Sequence, residues 1–454
     1  MYKKQIIKPV CIMLVLFLLV SALLTACGQP QKEKSASGQE TNQQTAKSDG
    51  GSDASAQKSE VTYWYPHGNV TDQNALKKAI EQFNNENADI MITGEFVGGS
   101  GSGQGITDKL TVAINGGNPP DIVLFDRFMV GQWADAGLFE DLTQIAESNG
   151  ISKDMFYDFA WQEANYQGKF YAFPFDTDNR VLFYNKKMFR DAGLDPEKPP
   201  LTIEELDKYA EKLTVKEGNR YSVIGFIPWL SQGWLYTWGW SFGGQFYDKA
   251  SGKITANDPA IVKALEWETT YAEKYNIEAV TNFSNASGGD VNPFAAGMVA
   301  MMVSGPWEIS GFKDTAPDLE YGVSYVPTPT GTDFKSWAGG WSHIIPKGAK
   351  NIEAAAEFGK FMTIGDGARI YGEDTTHFMT FKELNENFSW VKNDPRFEIF
   401  VELFPSSYCR PPIPKGQLLW DELATATDNA LHGKGTSKEL LDAVTDKVNK
   451  ELGF

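Results

Sequence analysis

The chain is poor in three things that would each have set its class: cysteine, clustered basic residues and long apolar runs. Of 454 residues only three are cysteine. Cys11 and Cys27 fall in a segment that reads as an export signal and its boundary, which leaves Cys409 with no partner. A disulfide framework is therefore excluded, and stability has to come from core burial, for which the chain is long enough. Lys and Arg number 41 against 59 Asp and Glu, a net charge of −18. With no extended basic face, nucleic acid is excluded as a partner, because that recognition rests on neutralising phosphates. Past the first thirty residues nothing approaches the roughly twenty consecutive apolar residues of a membrane span. The glycine run from Gly98 to Gly105 lacks the Gly-Lys-Ser/Thr of a phosphate-cradling loop. Asp176-Thr177-Asp178-Asn179 is not followed by spaced oxygen ligands, so calcium is not expected, nor is any other metal or cofactor.

What is present begins at the start of the chain. Lys3, Lys4 and Lys8 precede an apolar stretch from Val10 to about Leu19, the layout of a secretory signal. Leu24-Thr25-Ala26-Cys27 resembles the lipobox of bacterial lipoproteins. That resemblance implies removal of residues 1–26, lipidation of Cys27 and a position on the extracytoplasmic face of the cell membrane, with a Gram-positive bacterium as the expected source. The alternative is an ordinary cleaved signal with an incidental cysteine. Residues 28–59 hold no aromatic or branched aliphatic side chain and cannot bury a core. Residues 27–59 are expected to be a lipidated tether with a reach of roughly 30 Å.

About 395 residues follow, more than one core usually serves, so two lobes are expected. Val61-Thr62-Tyr63-Trp64-Tyr65 reads as a strand, Asn74 to Asn84 as a helix, Ile90 to Val97 as a strand, Ile106 to Asn115 as a helix and Asp121 to Phe125 as a strand. This alternation predicts a parallel sheet whose ligand would lie beyond the carboxyl ends of the strands. Those ends carry His67 and Asn69 after the first strand, and Asp126 and Arg127 after the third. The chain also has thirteen Trp. Nine of them (Trp64, Trp229, Trp234, Trp238, Trp240, Trp307, Trp337, Trp341 and Trp420) sit beside Gly, Pro or polar residues, a placement that suits a lined cleft.

Longer motifs then recur in order. They are Ala113 to Phe128 with its Pro-Asp-Ile strand, Tyr171 to Phe175, Leu182 to Phe189, Phe294 to Trp307 ending in Gly305-Pro306-Trp307, Ala338-Gly339-Gly340-Trp341, and Arg410 to Trp420. Together they resemble the family of extracellular sugar-binding proteins of ABC importers that includes maltose-binding protein, over some 360 residues. The resemblance implies an α/β, two-lobe periplasmic-binding-protein-like fold of class II type, with discontinuous lobes joined by a hinge. The first lobe is expected from 60–180 plus 338–390 and the second from 181–337 plus 391–454, with pivots near Val181 to Tyr184 and Trp337 to Gly340. It also implies a sugar-stacking Trp at Trp307 and another at Trp420, and a ligand carboxylate at Asp126. The permease of an ABC importer is the implied partner, the protein acting as a monomer. Gly98 to Gly105 and Gly372 to Phe378 depart from the family pattern.

A pyranose has apolar C–H faces ringed by hydroxyls, so it calls for flat aromatic plates with hydrogen-bonding groups at their edge. The expected ligand-binding set is Trp307, Trp420, Trp341 and Trp234 as plates or lining, Asp126 and Asp176 as acceptors, Asn69 as a two-way amide, and Gly340, Arg127, His67 and Arg410 around them. His67, Arg127 and Arg410 could instead read a carboxylate on an acidic sugar. The expected ligand is a carbohydrate, an oligosaccharide by preference. Two other classes compete, a secreted carbohydrate-active enzyme and a surface adhesin. Gly239-Trp240-Ser241-Phe242-Gly243 has the spacing of a hydrolase nucleophile elbow, but no apolar strand leads into it. No catalytic residue is expected.

Overall fold

The computed structural model describes residues 58–98, 104–218, 220–286 and 292–454. The signal segment, Cys27 and nearly all of the tether lie outside these residues, as does the middle of the Gly98 to Gly105 run.

Ten strands form two five-stranded sheets: β1 (Ser59–Tyr65), β2 (Ile90–Phe96), β3 (Ile122–Asp126), β4 (Ala172–Pro174), β5 (Val181–Asn185), β6 (Val215–Glu217), β7 (Arg220–Phe226), β8 (Val299–Ser304), β9 (Tyr321–Ser324) and β10 (Trp341–Ile344). The first sheet has the order β2-β1-β3-β10-β4 and the second β9-β5-β8-β7-β6. β2, β1 and β3 run parallel, as the alternation of elements predicts. β10 joins them antiparallel, because it arrives from the second lobe and extends a sheet whose other strands were laid down some two hundred residues earlier. The second sheet is mixed for the same reason, with β5 antiparallel to β8 and β9.

The first helix, α1 (Val70–Glu86), begins four residues before its expected start, and the second, α2 (Gln104–Asn115), two before. For α1, Asn69 is the cause, since its side-chain oxygen accepts the Asp72 N–H at 2.8 Å and caps the helix. Leu76, Ala79, Ile80 and Phe83 then recur at helical spacing and are buried. β5 is buried along its whole length, as a central strand covered on both faces should be.

Two chain segments cross between the sheets side by side. Asp178 and Gly339 form an antiparallel bridge. The Ser336 hydroxyl accepts from Arg180 N at 2.7 Å and donates to Arg180 O at 2.8 Å. The late segment does not divide as expected. Phe397, Phe400 and Phe404 fall in the range expected for the second lobe, yet their rings pack on Phe378, and Phe404 also meets Tyr157 of the first. Arg396 and Lys313 nevertheless tie this segment to the second lobe, over the Tyr321 and Phe397 rings respectively. The stretch is thus an additional strap across both lobes.

A cleft at the crossing

The register of β3 and β10 sets Asp126 beside Trp341 at the end of the first sheet. Asp126 also caps the turn Arg127–Met129 through Phe128 N, and its carboxylate accepts from Arg410 Nη2 at 3.1 Å. From the second lobe come Trp234, at the start of α3 (Leu235–Ser241), and Trp420 on α4 (Gly416–Leu431). Trp234 offers no side-chain cap to α3 and is 41% exposed; its ring lies 4.8 Å from that of Trp420. These residues, with Phe128, Asp178, Arg180, Gln232, Trp337, Gly340 and Asp421, line a cavity of about 680 Å³ between the lobes.

Aromatic rings and guanidinium groups alternate along the cleft. Arg180 lies 3.9 Å from the Trp337 ring and 5.6 Å from Trp307. Arg410 lies 3.9 Å from Phe128 and within 5.5 Å of both Trp337 and Trp420. Each arginine is also ion-paired, Arg180 with Asp178 and Arg410 with Asp126. Such stacking fixes the planar forks and holds the rings at set angles. Three carboxylates (Asp126, Asp178, Asp421) against two guanidiniums leave the lining close to neutral. Arg410 Nε and Trp337 Nε1 are buried without a hydrogen-bond partner among the described residues.

Asp126, Gly340, Trp341, Trp234, Trp420 and Arg410 of the expected set therefore share one cavity. Trp307 does not line it and is reached through Arg180; the residue is 37% exposed. A side chain on Gly305 would overlap the Trp307 ring, with an added Cβ 2.1 Å away, so the Gly-Pro-Trp turn depends on glycine for that close approach.

Four expected residues do other work. Arg127 is fully buried and donates to Glu163 at 2.8 Å, to Asp176 O at 2.7 Å and to Gly339 O at 2.6 Å. It staples both crossing segments to the end of β3. Asp176 is buried, and its carboxylate takes the Trp341 N–H at 2.7 Å. Burial pushes this carboxyl up to about 6, against the opposing pull of His377 and the Trp341 N–H. His67 sits edge-on to Trp341 and against the Tyr371 hydroxyl, and desolvation holds its pKa down to about 4, so it is neutral at pH 7. Asn69 is the cap of α1. With Arg127 stapled, His67 neutral and Arg410 paired, none of the three presents an unpaired cation to the cleft.

Gly340 belongs to the crossing as much as to the cleft. Its φ is +132°, and a Cβ there would lie 2.4 Å from the Asp176 carbonyl oxygen. Trp238 and Trp240, expected in a cleft, are core residues; Trp238 is fully buried and donates to Pro228 O. Ser241 of the Gly239–Gly243 motif is buried in α3 and donates to Pro327 O, which removes it as a nucleophile. Residues that sequence reasoning missed include Asp178, Arg180, Gln232 and Phe128. The sequence offers Asp178 only as a calcium ligand, whereas Trp337 reads both as a pivot residue and as one of the nine Trp suited to a cleft; both sit where the crossing meets the cleft.

Comparison with known proteins matches residues 67–363 to the bacterial extracellular solute-binding protein family. The chain belongs to that family. Among similar members, the maltooligosaccharide ABC transporter solute-binding lipoprotein of Streptococcus pneumoniae TIGR4 is 26% identical over 437 residues, covering 94% of this chain and 93% of that one. The solved structure of CpMnBP1 with mannotriose bound superposes with a TM-score of 0.74 at 29% identity, over 86% of this chain and 99% of that chain. An ABC transporter solute-binding protein from Thermotoga lettingae bound with α-D-tagatose gives 0.71 at 26% identity, over 87% and 100%. For a solute-binding protein with this two-lobe architecture, a cavity at the crossing is where a solute would be enclosed.

Proposed function

We propose that this protein is the carbohydrate-binding component of an ABC importer. It would work outside the cytoplasm as a monomer anchored through Cys27 after removal of residues 1–26, and would deliver its ligand to the permease. The observation that carries the reading is the combination in one cleft of aromatic plates (Trp234, Trp341, Trp420) with guanidinium–carboxylate pairs that are already neutralised. Such pairs offer donors and acceptors to hydroxyls without favouring a charged solute, and hydrogen bonds to charged groups contribute roughly 1.5–3 kcal/mol each. The similar proteins whose names or titles specify maltooligosaccharide or mannotriose support an oligosaccharide, and the near-neutral lining supports a neutral one.

An enzymatic role is disfavoured by the same geometry. Glycoside hydrolysis needs one carboxyl that can give up a proton at the scissile bond. Here Asp126 and Asp178 are each engaged in an ion pair, with Arg410 and Arg180 respectively, and neither stands free to act at a scissile bond. The test is calorimetric titration with mono- and oligosaccharides, neutral and acidic, alongside an assay for new reducing ends. Saturable binding of a neutral oligosaccharide with no product is expected. Product formation, or no binding across the panel, would contradict the reading.

A further inference from the structure

On the far side of the Trp234–Trp420 pair the second lobe holds another cavity, of about 160 Å³. Trp229, Tyr236, Leu423 and Thr427 line it together with Trp234 and Trp420, the two rings that also line the main cleft. The two spaces are therefore neighbours across a single pair of aromatic side chains, and the exposed ring of Trp234 borders both. The volume is close to the roughly 150 Å³ of an engineered apolar cavity that takes one benzene, room for one small ring and not for two.

Its chemistry is that of a sugar plate with one hydroxyl partner. Trp229, Trp234 and Trp420 give three indoles on a wall completed by Tyr236, a glycine, aliphatic side chains and two polar residues, Thr427 and Asp428. Asp428 is exposed and ion-paired with His432 and Lys434, which leaves Thr427 as the one of the two without a partner among the described residues. Several helical threonines in this protein return their hydroxyl to the carbonyl four residues back, as Thr425 does to Asp421 at 2.8 Å and Thr445 to Leu441 at 2.8 Å. The Thr427 hydroxyl is buried and has no partner among the described residues. An unpaired hydroxyl in a mostly apolar wall is unfavourable unless something bonds to it.

We propose that this cavity is a second subsite, which takes one terminal pyranose of an oligosaccharide whose remaining units occupy the main cleft. The terminal ring lies against Trp229, and rotation of the Thr427 side chain brings its hydroxyl, closed off from solvent in this structure, into a hydrogen bond with the ring's edge, while the chain passes over the Trp234 edge. The proposal rests on the carbohydrate reading above and adds a length requirement to it. A ligand that ends at Trp234 gains nothing from the second cavity, and one that reaches past it does.

Malto- and manno-oligosaccharides of one to six units, titrated calorimetrically, test this with the full-length protein. Wild type should show a step of at least tenfold in affinity at one chain length. Ala424→Phe, which fills the cavity from α4, should abolish that step while shorter sugars bind within twofold of wild type. Trp229→Ala should remove most of the step, and Thr427→Val should reduce it severalfold. Melting curves check that Ala424→Phe folds; if it does not, Trp229→Ala decides. Equal losses at every length, or no loss in either variant, would overturn the subsite while leaving the carbohydrate reading intact. Failure of wild type to bind any saccharide would overturn that reading, and the subsite with it.

Discussion

Arg127 and Arg410 lie in segments that look alike on paper, each near a strand or turn that faces the cleft, and the structure gives them opposite tasks. Arg127 is sealed among two backbone carbonyls and Glu163, and joins β3 to both crossing segments. Arg410 is stacked between rings in the cleft and paired with Asp126. The crossing is a buried polar clamp whose hydrogen bonds are internal, whereas the cleft keeps paired groups at the edge of a ligand-sized space. Residue type does not separate the two regions. What separates them is whether backbone carbonyls are available to saturate the side chain.

That contrast can be broken from the crossing side first. Arg127→Met leaves Glu163 buried and unpartnered, so a loss of about 3–5 kcal/mol in unfolding free energy is expected by urea denaturation. A neutral outcome would mean that the staple is dispensable. The next largest effect is at Asp176. Its folded pKa of about 6 lies above the ordinary carboxyl value, so the folded state holds a proton that the unfolded chain has released. Stability from this group is present at low pH and is lost as pH rises from about 4 to about 6, on the order of 2–3 kcal/mol. Asp176→Asn, which keeps an acceptor for the Trp341 N–H, should therefore flatten the pH dependence of the melting temperature across that window. An unchanged profile would show that the carboxyl titrates normally.

From the cleft side affinity should fall, and Trp420→Ala should lower stability as well, because that ring also packs on Tyr236 and Trp337. Trp420→Ala should weaken oligosaccharide binding about tenfold or more, on the order of 1.5 kcal/mol, by calorimetry. Trp307→Ala should cost less, about 1 kcal/mol or roughly fivefold, because that ring meets the cleft only through Arg180. If Trp307→Ala proves the more damaging of the two, the plate order inferred from the geometry is reversed.

Much of the fold could be read from the sequence where local chemistry and tertiary role coincide. The β1 to β3 alternation announces itself by residue type and spacing, and the β5 segment and the Gly-Pro-Trp turn are marked by the family resemblance. The cleft is legible in part, since Asp126 follows from a strand end, Trp341 and Trp420 from the order of the family motifs, and Trp234 from its Gly and polar neighbours. The failures share a cause. Asn69 reads as a ligand amide because sequence spacing does not reveal that its oxygen caps α1. Trp238 and Trp240 stood beside polar neighbours, yet α3 turns them into the core. Phe397, Phe400 and Phe404 are contiguous with second-lobe sequence but are captured by the Phe378 ring, a contact that no local pattern encodes. Arg180 and Asp178 acquire meaning only once the returning segment at Gly339 lies beside them.

The most direct test of the central claim is a crystal structure of the protein with a bound oligosaccharide. The account predicts a pyranose on the face of Trp420, with a hydroxyl within hydrogen-bond distance of Asp126 and the Arg127 staple unchanged beneath it. Sugar density outside the cleft lined by Trp234, Trp341 and Trp420, or a ligand bonded to Arg127, would contradict it.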